Sequence, residues 1–216
     1  MKGKQMEKKG ILTVVSGFSG SGKGTIMKQL IEEHPDTYAL SISATTRAPR
    51  TGERHGKEYF FVSTEEFEQM IQEGELIEYA QYVNHYYGTP KDYVQRQLEQ
   101  GKDVILEIEI QGALKVKEAY PDTLLLFVSP PSAEELKDRL VGRGTEEESV
   151  IDMRLSRAWQ EAQGVENYDY FVINDDLPEC VGQVHAIIQN EHARTVRNQT
   201  LIDTIRADLK CFAKGE

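Results

Sequence analysis

The sequence predicts a doubly wound α/β domain, a parallel sheet with helices on both faces, and three observations carry that prediction. Apolar, β-rich runs at 11–15 and 124–128 read as strands buried on both faces, as the strands of parallel sheets are. Helical patterns follow such runs, so strands and helices alternate along the chain. A glycine-rich turn joins the first strand to the first helix.

In order, Ile11 to Val15 forms a strand ending at Ser16-Gly17, and Thr25 to Glu33 a helix with Ile26, Leu30 and Ile31 inward. Tyr38 to Ser43 is a second strand, and Arg47 to Lys57 a loop marked by Pro49, Gly52 and Gly56. Glu58 to Val62 is strand-like. Ser63 and Glu66 have the capping-box spacing and open a helix that turns Phe67, Met70 and Ile71 to one side. Leu76 to Val83 is a strand and Asn84 to Gly88 a turn. A helix over Pro90 to Gln100 leads into a strand from Asp103 to Ile110, where Glu107 and Glu109 alternate with apolar residues and so share a face. Ser132 caps a helix bearing Arg139 and Arg143, four apart on one side; Arg154 and Arg157 follow on a helix from Glu148 to Gln163. Tyr170 to Ile173 is a last short strand, and Leu177 to Leu209 is mostly helical. There Val184, Ile187, Ile188, Val196, Leu201, Ile205 and Leu209 read as packing against the domain, with a subunit contact as the alternative.

The 216 residues suffice for one compact domain with small insertions. No apolar run approaches the roughly 20 residues of a membrane helix. Residues 1–10 are basic and polar, lack a signal-like stretch, and read as a flexible start. Cys180 and Cys211 have no metal or redox spacing and suit a reduced, cytoplasmic setting. A net charge of −11 argues against broad nucleic-acid binding. It leaves room for a small anionic ligand, which needs only a local cluster of Arg and Lys. Monomer and homo-oligomer both remain open.

Gly17-Phe-Ser19-Gly20-Ser21-Gly22-Lys23-Gly24-Thr25 lies between predicted strand and helix, as a phosphate-binding loop requires. Its glycines let backbone N–H groups converge on phosphate oxygens at a helix N-terminus, and Lys23 adds a point charge. The hydroxyl that usually follows the lysine is replaced by Gly24, so a Mg²⁺ ion accompanying ATP would be held mainly through water and phosphates, with Thr25 a weak candidate ligand. Arg47 and Arg50 flank Pro49 and can fork onto a second phosphate. Taken alone, such a pair more often belongs to a solvated loop, and Glu78 alone reads as an exposed strand acid.

The chain resembles the guanylate kinases. The resemblance rests on the phosphate loop, on Ser43-Ala-Thr-Thr-Arg47-Ala-Pro-Arg50 followed by Gly52-Glu53 and Gly56-Lys57-Glu58-Tyr59, and on Leu76-Ile-Glu78-Tyr79-Ala80. It continues through Tyr86-Tyr87-Gly88-Thr89, Glu107-Ile-Glu109-Ile-Gln111-Gly112, Arg139-Leu-Val-Gly-Arg143-Gly-Thr145-Glu146 and Val172-Ile-Asn174-Asp-Asp176. It implies a P-loop kinase core at 11–40, 91–136 and 165–186, a small mixed α/β GMP-binding insertion at 41–90, a helical lid at about 137–164, and a helical extension at 187–216. ATP and GMP, or dGMP, would be the substrates.

By the same resemblance, Arg47, Arg50, Tyr59 and Tyr87 would hold the GMP phosphate, and Ser43, Glu78, Gly88, Thr89 and Glu109 the guanine. A carboxylate suits guanine, whose ring N–H and exocyclic amine lie side by side, whereas adenine would leave it facing a bare acceptor. Glu107 would stand on the metal side, through water. Lys23, Arg47, Arg139, Arg143 and Arg154 would neutralise the transferring phosphoryl group, and Asn174 would lie near adenine. Three rival readings are a kinase for another monophosphate, a catalytically inactive guanylate-kinase-like binding module, and a GTPase switch. The intact loop and the lid arginines argue against the last two.

Overall fold

The computed structural model describes residues 9–82, 84–142 and 148–213. Its main sheet is wholly parallel, in the order β2-β7-β1-β8-β9. These strands are β1 (Leu12–Gly17), β2 (Tyr38–Leu40), β7 (Asp103–Glu107), β8 (Leu124–Ser129) and β9 (Tyr170–Ile173). A second, four-stranded sheet is inserted between β2 and β7, formed by β3 (Ala44–Thr45), β4 (Phe60–Phe61), β5 (Leu76–Tyr82) and β6 (His85–Pro90). The helices are α1 (Lys23–Glu33), α2 (Thr64–Gln72), α3 (Lys91–Glu99), α4 (Ile110–Ala119), α5 (Ala133–Val141), α6 (Glu148–Ala162), α7 (Leu177–Glu191) and α8 (Gln199–Phe212). Among the described residues no helix is long and apolar enough to cross a membrane.

Side chains alternate across β1, and each face has its own core. Val15 joins Ile26, Leu30, Val128, Val184 and Ile188 on the face covered by α1 and α7. Leu12 and Val14 join Val94, Leu106, Val116 and Leu125 on the face covered by α3 and α4. Every residue of β8 is buried, as expected for an apolar strand in the middle of a sheet. Ser63 and Glu66 form the reciprocal capping box at the start of α2, through Glu66 N to Ser63 Oγ and Ser63 N to Glu66 Oε2.

At the end of the sheet remote from the phosphate loop, Asp103 is buried at 1% exposure and serves as a common acceptor. The backbone N–H of Ile11 donates to it at 2.8 Å, Gln189 Nε2 at 3.0 Å and His192 Nε2 at 2.8 Å. One carboxylate thereby ties the entry to β1 and the end of α7 to β7.

Several sequence expectations are corrected. The strand expected over Asp103–Ile110 stops at Glu107, and Glu109 is the N-cap residue of α4, so Glu107 and Glu109 do not share a strand face. The turn expected at Asn84–Gly88 is mostly strand β6; the left-handed residue of the tight turn is Asn84, at φ 64°. The expected strand at Tyr38–Ser43 ends at Leu40. In the C-terminal stretch, Val184 and Ile188 pack as expected, but Val196, Leu201, Ile205 and Leu209 are exposed, and α8 buries no residue.

Candidate active site

The phosphate loop leaves the C-terminal end of β1 in the middle of the parallel sheet, where ligands of open α/β folds bind. Gly22 precedes α1 in a left-handed conformation at φ 89°, and a Cβ there would meet Asn174 Nδ2 at 2.4 Å. No other residue satisfies both demands. Asn174 is itself buried and donates from Nδ2 to the carbonyl of Ser21 at 2.8 Å. Its side chain thus holds the loop from below, while its carbonyl accepts from Arg139 Nη2 at 2.9 Å.

Lys23 folds over the loop and donates to the carbonyls of Gly17 and Phe18 at 2.7 and 3.0 Å. Arg154 Nη1 of α6 donates to Ser19 Oγ at 2.9 Å, so an arginine of α6 touches the loop. Gly17, Ser19, Lys23, Glu107, Glu109, Arg154 and Arg157 line one cavity of about 720 Å³. Glu107 Oε2 lies 3.9 Å from where a Cβ on Gly24 would stand, so this carboxylate faces the start of α1. Arg139 does not line this cavity; Glu135 holds its Nε at 2.7 Å. Gly20, Ser21 and Thr25 belong to the same loop and first helical turn, with Ser21 buried and Thr25 exposed. Arg143 lies outside the described residues, as do Thr145 and Glu146.

A second cavity, of about 560 Å³, opens on the insertion and is lined by Ser43, Tyr59, Glu78, Tyr87, Gly88, Glu109 and Lys115, among others. Glu78 reaches it through a backbone irregularity. The pairing of β5 with β6 slips between Leu76 and Tyr79, and such a bulge re-aims the side chains it contains. Glu78 Oε1 then accepts from Thr89 Oγ1, a buried hydroxyl on β6, at 2.7 Å. A Cβ at Gly88 would stand 2.9 Å from the Glu78 carbonyl, so the glycine permits the close approach of the two strands. Burial pushes the Glu78 carboxyl up; the Thr89 hydrogen bond and the charge of Lys115 pull it down, and Glu109 pushes it up again.

Beside this cavity, Arg47 Nη2 meets Glu53 Oε1 at 2.9 Å, and its guanidinium lies over the ring of Tyr59 at 5.4 Å. Glu53 Oε2 also accepts from the backbone N–H of Arg50 at 2.7 Å. Glu53 therefore joins the two arginine positions, and Arg47 holds its carboxyl below the usual carboxylate range. The Tyr59 and Tyr87 rings meet edge to face at 6.0 Å. Arg50 remains exposed.

Glu107, Glu109 and Arg157 line both cavities. Ser16 Oγ fixes the connecting segment by donating to the carbonyl of Ile108 at 2.7 Å. Arg157 of α6 meets Glu109 Oε2 at 2.7 Å and Glu161 Oε1 at 3.1 Å. The sequence reading missed Glu53, Arg157 and Lys115 as site residues. For Glu53, the signal was its three-residue spacing from Arg50 in a Gly-containing loop.

The guanylate kinase family model matches residues 9–191 of the chain. The guanylate kinase of Clostridioides difficile is 52% identical over 195 residues, covering 90% of this chain and 95% of that protein. That of Caldanaerobacter subterraneus subsp. tengcongensis is 52% identical over 203 residues, covering 94% and 98%. The crystal structure of guanylate kinase from Anaplasma phagocytophilum superposes with a TM-score of 0.68 at 33% identity, covering 88% of this chain and 90% of that one.

Proposed function

The chain belongs to the guanylate kinase family, and from that membership we propose that it transfers the γ-phosphoryl group of ATP to GMP, giving ADP and GDP. The observation that carries the reading is the pair of cavities meeting at Glu107, Glu109 and Arg157, one built on a phosphate loop and the other on a half-buried carboxylate and a buried hydroxyl suited to guanine. A donor phosphate and an acceptor phosphate bound from opposite sides meet at that shared wall.

In this reading Ser43, Glu78, Gly88 and Thr89 hold the base. Arg47 and Arg50, with the hydroxyls of Tyr59 and Tyr87, hold the GMP phosphate. An oxygen of that phosphate attacks the γ-phosphorus as the bond to the bridging oxygen of the leaving ADP breaks, and no covalent intermediate on the protein is needed. Lys23 exchanges its loop carbonyls for ATP phosphates, and Arg154 balances charge on the moving group. Arg139 and Asn174 support the loop from the adenine side.

Magnesium fits this site. Glu107 faces the start of α1, and among the described residues no group of three or more His, Cys, Asp or Glu could enclose a metal ion. Glu107, water and the nucleotide phosphates would hold it, with Thr25 a distant second, and when bound it would supply positive charge to the phosphates. A cytoplasmic setting belongs to the same reading, supported by two free cysteines, Cys180 and Cys211.

The test is ADP formation from MgATP with GMP, AMP, CMP or UMP, beside a control without acceptor. Turnover with GMP far above the others is expected. Preference for another base would overturn the role of Glu78, and folded protein that binds GMP without turnover would favour a binding module.

A further inference from the structure

The acceptor cavity contains one cation that the scheme above leaves idle. Lys115 stands on α4, three residues after Gly112 and so on the same side of the helix. Gly112 faces the Glu78 carboxylate closely: a Cβ there would lie 3.6 Å from Glu78 Oε2. Lys115 and Glu78 therefore line one cavity from opposite walls, α4 and β5, with the glycine leaving the space between them open. We propose that Lys115 is a positioning residue for base recognition, its ammonium holding Glu78 in the ionised form that accepts both N–H groups of guanine.

The physical need is specific to this site. A half-buried carboxylate tends to take up a proton, and a protonated Glu78 loses an acceptor just where guanine presents two donors. The other groups around it do not supply the missing positive charge. Glu109, at the N-cap of α4, is negative and already paired with Arg157 of α6. Glu107, at the end of β7, is negative too. From the insertion come, among the described residues, the neutral rings of Tyr59, Tyr79 and Tyr87, the Ser43 hydroxyl, the neutral amide of Gln81, and Thr89 on the far oxygen. That leaves Lys115 as the cation of this cavity with no acid paired to it among the described residues, and Lys115 acts on Glu78 to favour its charge. Being exposed, it does so through a partly solvated gap, and salt weakens it.

The inference rests on the reading of Glu78 as the base acceptor, and the experiment separates the two. KM for GMP and kcat would be measured at saturating MgATP from about pH 5.5 to pH 8.5 for the parent, Lys115→Gln, Lys115→Arg, Glu78→Gln and the double variant. Protonation of the nucleotides is common to all of them, so differences from the parent report the protein. Lys115→Gln is expected to raise KM for GMP about threefold to tenfold at the acid end. Its curve should rejoin the parent's at the alkaline end, with kcat nearly unchanged. Lys115→Arg should follow the parent, added salt should shrink the difference, and Lys115→Gln should add nothing in the Glu78→Gln background. A Lys115→Gln curve that superimposes on the parent's, or a rise equal at every pH, overturns the proposal. Unchanged GMP affinity in Glu78→Gln overturns the underlying reading of the base site instead.

Discussion

Thr89 Oγ1 donates to Glu78 Oε1 at 2.7 Å across neighbouring strands of the insertion, from a hydroxyl that is wholly buried. The bond orients the carboxylate and takes one lone pair of Oε1, leaving Oε2 and the second lone pair of Oε1 to accept from the cavity. Thr89→Val keeps the shape and removes the donor. KM for GMP is expected to rise about tenfold with little change in KM for ATP, as steady-state kinetics with each substrate varied in turn would show.

Glu78 also carries a stability consequence. Burial raises its carboxyl above the unfolded value, so the protonated form favours folding. That contribution is fully present below the unfolded value and is lost as pH rises through the folded one. At neutral pH the ionised side chain therefore costs stability, and Glu78→Gln should raise Tm by about 2 °C while damaging GMP use. Thermal melts at neutral and acid pH check this; a gain that grows on acidification contradicts it.

Lys23→Met removes the loop's point charge and its hydrogen bonds to Gly17 and Phe18. We expect kcat to fall about 10²- to 10³-fold with GMP binding, read by calorimetry, left near the parent value.

Asn174→Ala takes away the donor beneath Ser21 and opens a gap under Gly22. KM for ATP should rise about tenfold, more than KM for GMP. An unchanged value would mean that the loop keeps its shape without this support.

Asp103→Ala strips the acceptor shared by Ile11, Gln189 and His192. A loss of about 3 kcal/mol is expected, lowering Tm by about 6–10 °C. Because Asp103 begins β7 and the chemistry lies beyond its other end, kcat below the melting range should hold.

The elements most legible in the sequence were those whose local signals agree. β1, the glycine turn and α1 meet a buried-strand pattern, a loop pattern and a helical pattern in succession, and β8 is apolar throughout. The start of α4 was hidden because the acids at 107 and 109 alternate with Ile108 and Ile110 as they would on a strand. The helix buries only Ala113 and Val116, too few to announce its period. Of the candidate site, Arg47, Arg50, Glu78 and Thr89 were named through the family resemblance and not through their local pattern, and their partnerships were hidden. Glu53 beneath the arginines, Arg157 against Glu109 and Lys115 across from Glu78 are long-range or loop contacts without periodicity. The apolar positions of α8 have the spacing of a packed helix, yet Leu201, Ile205 and Leu209 are 42%, 48% and 60% exposed.

The slip in pairing between Leu76 and Tyr79 has an evolutionary meaning. With Glu78 as the base acceptor proposed above, choice of base would depend on a backbone offset as much as on the acid at position 78, and would be inherited as strand registry. Exchanging side chains around the cavity explores new acceptors while keeping the aim, whereas losing one residue from β5 turns Glu78 toward the opposite side of the sheet.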